Sequence, residues 1–210
     1  PLVVNIAGET VEDFAFLCER LNRETGISAI ELNISCPNVS HGLDFATDPK
    51  LAREVVSAAK AVSRVPVFAK LSPNVTDITQ IARAAQDGGA DALCVANTFV
   101  GLSIDIKSRK PRLANTTGGV SGPAIKPLAL RAVWRCAGAV QIPIIGIGGI
   151  CTASDAIEFF LAGASAVQIG TATFVQPDAA LHVIEGIENY LRENGENSLR
   201  NIVGAMRSPL

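Results

Sequence analysis

The sequence predicts an α/β fold of parallel strands joined by helices: six βα units of a (β/α)8 TIM barrel. Three observations predict it. Short β-branched or aliphatic runs alternate with stretches of helical period along the chain. Six strand–helix units follow one another with no linker, low-complexity tract or change of composition, and uniform βα alternation implies parallel strands with right-handed crossovers. Charged residues are only 18% and hydrophobic residues 48%, against roughly 25% charged in ordinary soluble domains, as expected of strands covered on both faces. The closed form of this pattern is the eight-unit barrel, usually ~250 residues long. An open, doubly wound sheet is the alternative. Residues 1–210 read as one domain.

The first strand is Leu2–Ala7, and the helix after it opens on a capping box of Thr10 and Asp13 and stops at Gly26. Its apolar face carries Val11, Phe14, Leu17 and Leu21. The second strand is Ala29–Ser35, and its helix opens with Asp48 before Pro49, where proline is favoured. The third strand, Pro66–Ser72, leads into a helix that follows Thr76–Asp77 and ends at Gly88–Gly89. The fourth, Ala92–Thr98, is followed by a long loop, Phe99–Lys126, of a length usually reserved for function. Pro127, Ser154 and Asp178 mark three more helix starts, with strands Pro143–Gly148 and Ala166–Thr171 between them. A short last helix runs from Ser198 to about Met206.

Lys and Arg total 18 and Asp and Glu 20, a net charge of −2 that gives no electrostatic case for nucleic acid or an anionic membrane. No run approaches the ~20 apolar residues of a membrane span, and no signal or transit peptide is visible. Cys18, Cys36, Cys94, Cys136 and Cys151 are dispersed in apolar contexts, without a CxxC pair or a ligand cluster with His41 or His182. They read as reduced thiols of a cytoplasmic protein, with no metal site.

Barrel enzymes build their sites at the carboxyl ends of the strands. Those ends carry Asn5; Asn33 with Cys36 and Asn38; Lys70; Asn97–Thr98; Gly146, Gly148 and Gly149; and Gly170–Thr171. Each Asn taken singly is an ordinary turn or cap residue. Six polar or glycine ends in phase point to one shared site. "GIGGI" lets backbone approach an anion closely, "IGTA" adds the Gly170 N–H and the Thr171 hydroxyl, and "GGVSGPAIKP" adds Gly122. A phosphate site at the last two strand ends is the position of the seventh and eighth strands of a barrel, which favours strands three to eight over an open sheet. Lys70 ends an apolar strand, where lysine is costly unless paired or functional. It suits a Schiff base, as in an aldolase-type lyase, or donation to an electron-rich ring. Cys36, in a turn fixed by Pro37, suits a nucleophile, a general base or a small buried side chain. An unperturbed thiol has a pKa of ~8.5, so a base role implies activity rising with pH.

Together "ELNISCPNVSHGLDFATDP", "FAKLSPNVTDI", "VANT", "DIKSRKPRLANTTGGVSGPAIKPLALR", "PIIGIGGI" and "GASAVQIGTA" resemble the catalytic subunit of class 1 dihydroorotate dehydrogenases, most closely the NAD-linked class 1B form. The flavin domain of dihydropyrimidine dehydrogenase shares the "AKLSPNVTDI" type of stretch, but the "RKPRLANTTGG" segment favours the former. The resemblance implies FMN as cofactor and oxidation of dihydroorotate to orotate in pyrimidine biosynthesis. By it, Cys36 would be the base, and Asn33, Asn97 and Thr98, with Asn38 possible beside them, would bind the pyrimidine. Asn5, Asn33, Lys70 and the backbone at Ala96 would contact the flavin. Gly122, Gly148, Gly149, Gly170 and Thr171 would hold its phosphate. It also implies a partner subunit carrying FAD and an iron–sulfur cluster that passes electrons to NAD, and a homodimer of catalytic subunits within a heterotetramer. The family's chain carries two further βα units before the point where this sequence starts, so the domain is expected to be incomplete at its amino end and a non-catalytic fragment is a further alternative.

Overall fold

The computed structural model describes residues 1–35 and 45–207. The elements run β1 (Leu2–Ile6), α1 (Val11–Leu21), β2 (Ile27–Leu32), α2 (Pro49–Val62), β3 (Val67–Lys70), α3 (Ile78–Asp87) and β4 (Ala92–Val95). Four short strands follow: β5 (Phe99–Leu102), β6 (Ile104–Asp105), β7 (Lys110–Pro111) and β8 (Thr117–Val120). A 3-10 turn, Pro123–Ile125, leads into α4 (Lys126–Ala137), β9 (Ile144–Ile147), α5 (Ala153–Leu161), β10 (Ala166–Gln168), α6 (Ala172–Val175) and α7 (Ala179–Glu193). The main sheet has six parallel strands in the order β1-β2-β3-β4-β9-β10, so every consecutive βα unit adds its strand beside the last.

The sheet is curled. Gln168 on β10 lies 2.7 Å from Glu31 on β2, with β3, β4 and β9 between them. Four strand steps at 4.7–4.9 Å would separate those backbones by about 19 Å in a flat sheet. Two side chains of this length meet across that span only if the sheet bends as part of a barrel. Alternation along each strand then separates an outer face from a lumen face. Ile30, Leu32, Val67, Ala69, Leu93, Val95 and Ile144 form the outer face, almost wholly buried under the helices. Phe14 and Phe159 are the largest fully buried side chains of the helical layer. The lumen face carries Asn5, Glu31, Lys70, Cys94, Ile147 and Gln168.

Local signals explain the helix starts. Thr10 and Asp13 form the expected capping box at α1, Asp48 caps α2 ahead of Pro49, and Asp77 caps α3. Four sequence expectations need correction. Helix α1 ends at Leu21, and Gly26 lies in the turn before β2 with a φ of +84°. Helix α5 is capped by Thr152 rather than opened by Ser154, because Thr152 and Asp155 close a reciprocal box. The last helix shrinks to a 3-10 turn, Leu199–Asn201, since the Gly204 and Met206 N–H groups bond the Phe160 and Leu161 carbonyls at the end of α5. The segment Phe99–Lys126 is not a plain loop: β5 pairs β8 and β6 pairs β7, both antiparallel, as a projecting arm. Its tip is turned by Asp105, whose carboxylate accepts the Lys107 and Ser108 N–H groups. Asp178 precedes α7 but does not cap it, and instead lies 3.1 Å from His182. Among the described residues no helix is long and apolar enough to cross a membrane.

Candidate active site

The expected strands run past the observed ends of the ladder, and the polar residues sit mostly in that overhang. Asn33 follows β2, Asn97 and Thr98 follow β4, Gly148 and Gly149 follow β9, and Gly170 and Thr171 follow β10. Asn5 and Lys70 lie inside their strands. Most of these residues open onto one cleft of about 270 Å³, near the lower limit for a small-molecule pocket. Lys70, Ala96, Asn97, Thr98, Gly122, Gly148, Gly149, Gly170 and Thr171 all line it.

One end of the cleft is made of backbone. Gly148 has a φ of +137° and Gly149 of +73°, in the region that favours glycine. A Cβ on Gly149 would come within 2.8 Å of the Gly122 carbonyl and 2.9 Å of the Lys126 backbone nitrogen. The arm closes this end through the Thr171 hydroxyl, which donates to the Ser121 hydroxyl at 2.8 Å. The N–H groups of Gly148, Gly149, Gly170 and Thr171 have no hydrogen-bond partner among the described residues. The α5 N-terminus is partly capped: Asp155 accepts from the Cys151 and Thr152 N–H groups, and Thr152 accepts from that of Asp155. Lys126 reaches across from α4 to Asp155 at 2.7 Å and Glu158 at 2.8 Å.

The other end is made of side chains. Glu31, only 3% exposed, accepts from Asn5 at 2.6 Å and from Lys70 at 3.2 Å on one oxygen. Its second oxygen accepts from Gln168 at 2.7 Å. Burial pushes the Glu31 carboxyl up, but hydrogen bonds from Cys94 and Gln168, the Lys70 charge and Asn5 outweigh it and hold the group below its ordinary value. Burial, reinforced by the Glu31 charge, pushes the Cys94 thiol far up, so Cys94 is an inert neighbour. Beside this cluster Asn97 donates to Asn33 at 3.2 Å and to Ser35 at 2.5 Å, and Ser35 donates to Asn33 at 2.8 Å. Asn97 also accepts the Thr98 N–H, and Asn74 braces the root of the arm by donating to the Thr98 carbonyl and accepting from the Val100 N–H.

Of the expected site residues, Asn5 and Asn33 lie beside the cleft's polar cluster rather than among its lining, while Glu31, Gln168, Ser35 and Ser121 join the site without having been expected. Glu31 had a signal: a charge inside "AIEL", and a buried lysine that requires a counter-charge. Cys36, Asn38 and His41 lie outside the described residues. Cys18, Cys94, Cys136 and Cys151 are free thiols. Among the described residues no three His, Cys, Asp or Glu side chains converge as metal ligands.

The cleft suits a flavin mononucleotide. Its glycine end offers unpartnered N–H groups to an anion, and a Cβ on Gly170 would meet nothing within 4 Å, so that space is open. Its other end offers the Lys70 ammonium to an electron-rich ring.

The family described as dihydroorotate dehydrogenase matches residues 1–191. The chain is 52% identical over 207 residues to the catalytic subunit of a dihydroorotate dehydrogenase B (NAD(+)) from Geotalea uraniireducens. That match covers 98% of this chain and 68% of the relative. The corresponding subunit of Desulforamulus reducens is 54% identical over 205 residues, covering 97% of this chain and 67% of the relative. Among solved structures, a dihydroorotate dehydrogenase from Eimeria tenella in complex with ferulenol superposes with a TM-score of 0.78 at 25% identity. It covers 93% of this chain and 57% of that one. The chain thus spans about two thirds of the curated relatives and little more than half of the solved one. On the family match and these identities, the chain belongs to the dihydroorotate dehydrogenase family.

Proposed function

We propose that this protein is the catalytic subunit of an NAD-linked dihydroorotate dehydrogenase, oxidising dihydroorotate to orotate in pyrimidine biosynthesis with FMN in the cleft. The observation that carries this reading is the convergence of Lys70, Asn97, Thr98 and the four cleft glycines on one space. The glycine end would hold the FMN phosphate, and Lys70 with the Ala96 backbone would contact its ring. FMN, when bound, supplies an acceptor for the hydride that leaves C6 of dihydroorotate.

The chain's own residues do the rest. Asn33 and Asn97 are held to each other and to Ser35, so their amide groups are fixed before substrate arrives. With Thr98 they orient the pyrimidine ring. Cys36, which follows Ser35 in the chain, takes the proton from C5 as its C–H pair is retained by the ring and the C5–C6 double bond forms. The arm is anchored beside the cleft through Asn74 and Ser121 and would help exclude water from it. Electrons then pass to NAD through a partner subunit carrying FAD and an iron–sulfur cluster, in a heterotetramer built on a dimer of this chain.

Cys36→Ser tests the assignment. The variant is expected to bind FMN as the parent does and to reduce it with dihydroorotate far more slowly, the parent's rate rising with pH. Near-parental flavin reduction by Cys36→Ser overturns Cys36 as the base.

A further inference from the structure

Glu31 stands on β2 but gathers side chains from across the curled sheet. Asn5 on β1, Lys70 on β3 and Gln168 on β10 all donate to it, and Cys94 on β4 adds its thiol. Replacing a paired buried charge by apolar groups is often neutral or stabilising, so core packing alone gives no reason for this carboxylate. Its effect on its neighbours does. A carboxylate only accepts hydrogen bonds, so each neighbour must turn a donor toward it. For Gln168 that fixes the amide: Nε2 faces Glu31 and the side-chain carbonyl faces away, with no partner among the described residues. For Lys70, one N–H is spent on Glu31 and the remaining donors of the ammonium are free for the cleft, which both Lys70 and Gln168 line.

We propose that Glu31 is the positioning residue of the ring end of the cleft, setting the Lys70 ammonium as donor and the Gln168 carbonyl as acceptor toward bound flavin. This rests on the reading of the cleft as the FMN site. Glu31 touches neither flavin nor substrate and acts through its two neighbours. It also places a negative charge behind the Lys70 ammonium, so the ring meets a neutralised pair rather than a bare cation.

The test uses the full chain loaded with FMN, with two readouts besides turnover: FMN affinity by fluorescence titration, and the reduction potential of the bound flavin. Glu31→Gln should weaken FMN binding by about tenfold or more, and should raise the potential, because a negative charge is lost beside a retained ammonium. Glu31→Asp keeps the charge on a shorter arm. It should return the potential toward the parent value while binding stays weak. Lys70→Met should lower the potential, and adding Glu31→Gln to a Lys70→Met, Gln168→Leu background should weaken FMN binding little further, since Glu31 acts through those two residues. A folded Glu31→Gln with parental affinity and potential, or a full further loss when Glu31→Gln is added to that background, overturns the proposal. Should Glu31→Gln fail to fold, Gln168→Leu leaves the Glu31–Lys70 pair in place. It must still weaken FMN binding, and parental affinity there overturns the proposal as well. A parent chain that binds no FMN overturns the flavin reading itself, which separates the two failures.

Discussion

The two ends of the cleft are built from different materials. Around Gly148, Gly149, Gly170 and Thr171 the surface is backbone, and its shape depends on φ values and on the absence of Cβ atoms. Around Glu31, Lys70, Asn97 and Gln168 it is side chain, and its shape depends on hydrogen bonds between strands far apart in sequence. A backbone site is encoded locally and breaks when a single atom is added. A side-chain site is encoded by the topology and breaks when a partner is removed.

Gly149→Ala should have the largest effect. It combines a positive φ, at roughly 1–2 kcal/mol for a residue with a Cβ, with overpacking against Gly122 and Lys126, at roughly 1–3 kcal/mol. Chemical denaturation should show a loss of about 2–5 kcal/mol, together with loss of FMN binding. A stable, flavin-binding Gly149→Ala would break the distinction between the ends.

Asn97→Ala removes a donor from Asn33 and from the buried Ser35, and should cost about 1–3 kcal/mol. Dihydroorotate should then reduce the flavin poorly while FMN affinity stays near that of the parent. Equal losses of both would mean that Asn97 serves the cofactor rather than the substrate.

Asp155 supports the glycine end from beneath, through the α5 cap and Lys126. Partial burial raises its carboxyl, but Lys126 and the capping donors outweigh that and hold it down at about 2, against 3.8 unperturbed. A depressed folded value means that this stabilisation is complete above pH 3.8 and fades as pH falls through about 2. Asp155→Asn should lose about 0.5–2 kcal/mol at neutral pH, as for a broken cap, and should flatten the stability profile below pH 4. A variant as acid-sensitive as the parent would assign that sensitivity elsewhere.

Gly170→Ala should change stability least, within about 0.5 kcal/mol, because its Cβ meets open space and its φ is ordinary. Gly170 lines the cleft, so an added Cβ there should weaken FMN binding more than riboflavin binding. Equal weakening of both would move the phosphate away from Gly170.

The same contrast explains what was legible in the sequence. "GIGGI" and "IGTA" announce their geometry because glycine is the signal and the contacts lie within a few residues. The parallel order of the sheet was legible for a similar reason, since each βα unit carries its own period and caps. Glu31 and Gln168 were not legible as partners. They are separated by 137 positions and meet only because the sheet curls. The arm was hidden by its composition: β5 and β8 contain three glycines, and its turns place Arg109 and Thr116 at positive φ, where sequence rules expect glycine or asparagine. Ser154 lost to Thr152 as a cap because only Thr152 has an acid three positions ahead, in Asp155, to close the box.

On the proposed function, this cleft holds a flavin that dihydroorotate can reduce. The most direct test is an anaerobic visible spectrum of the purified chain supplied with FMN, taken before and after dihydroorotate is added. The account predicts bound oxidised flavin whose absorbance bleaches on addition of dihydroorotate. A chain that binds no flavin, or a bound flavin that stays oxidised in the presence of dihydroorotate, would contradict it.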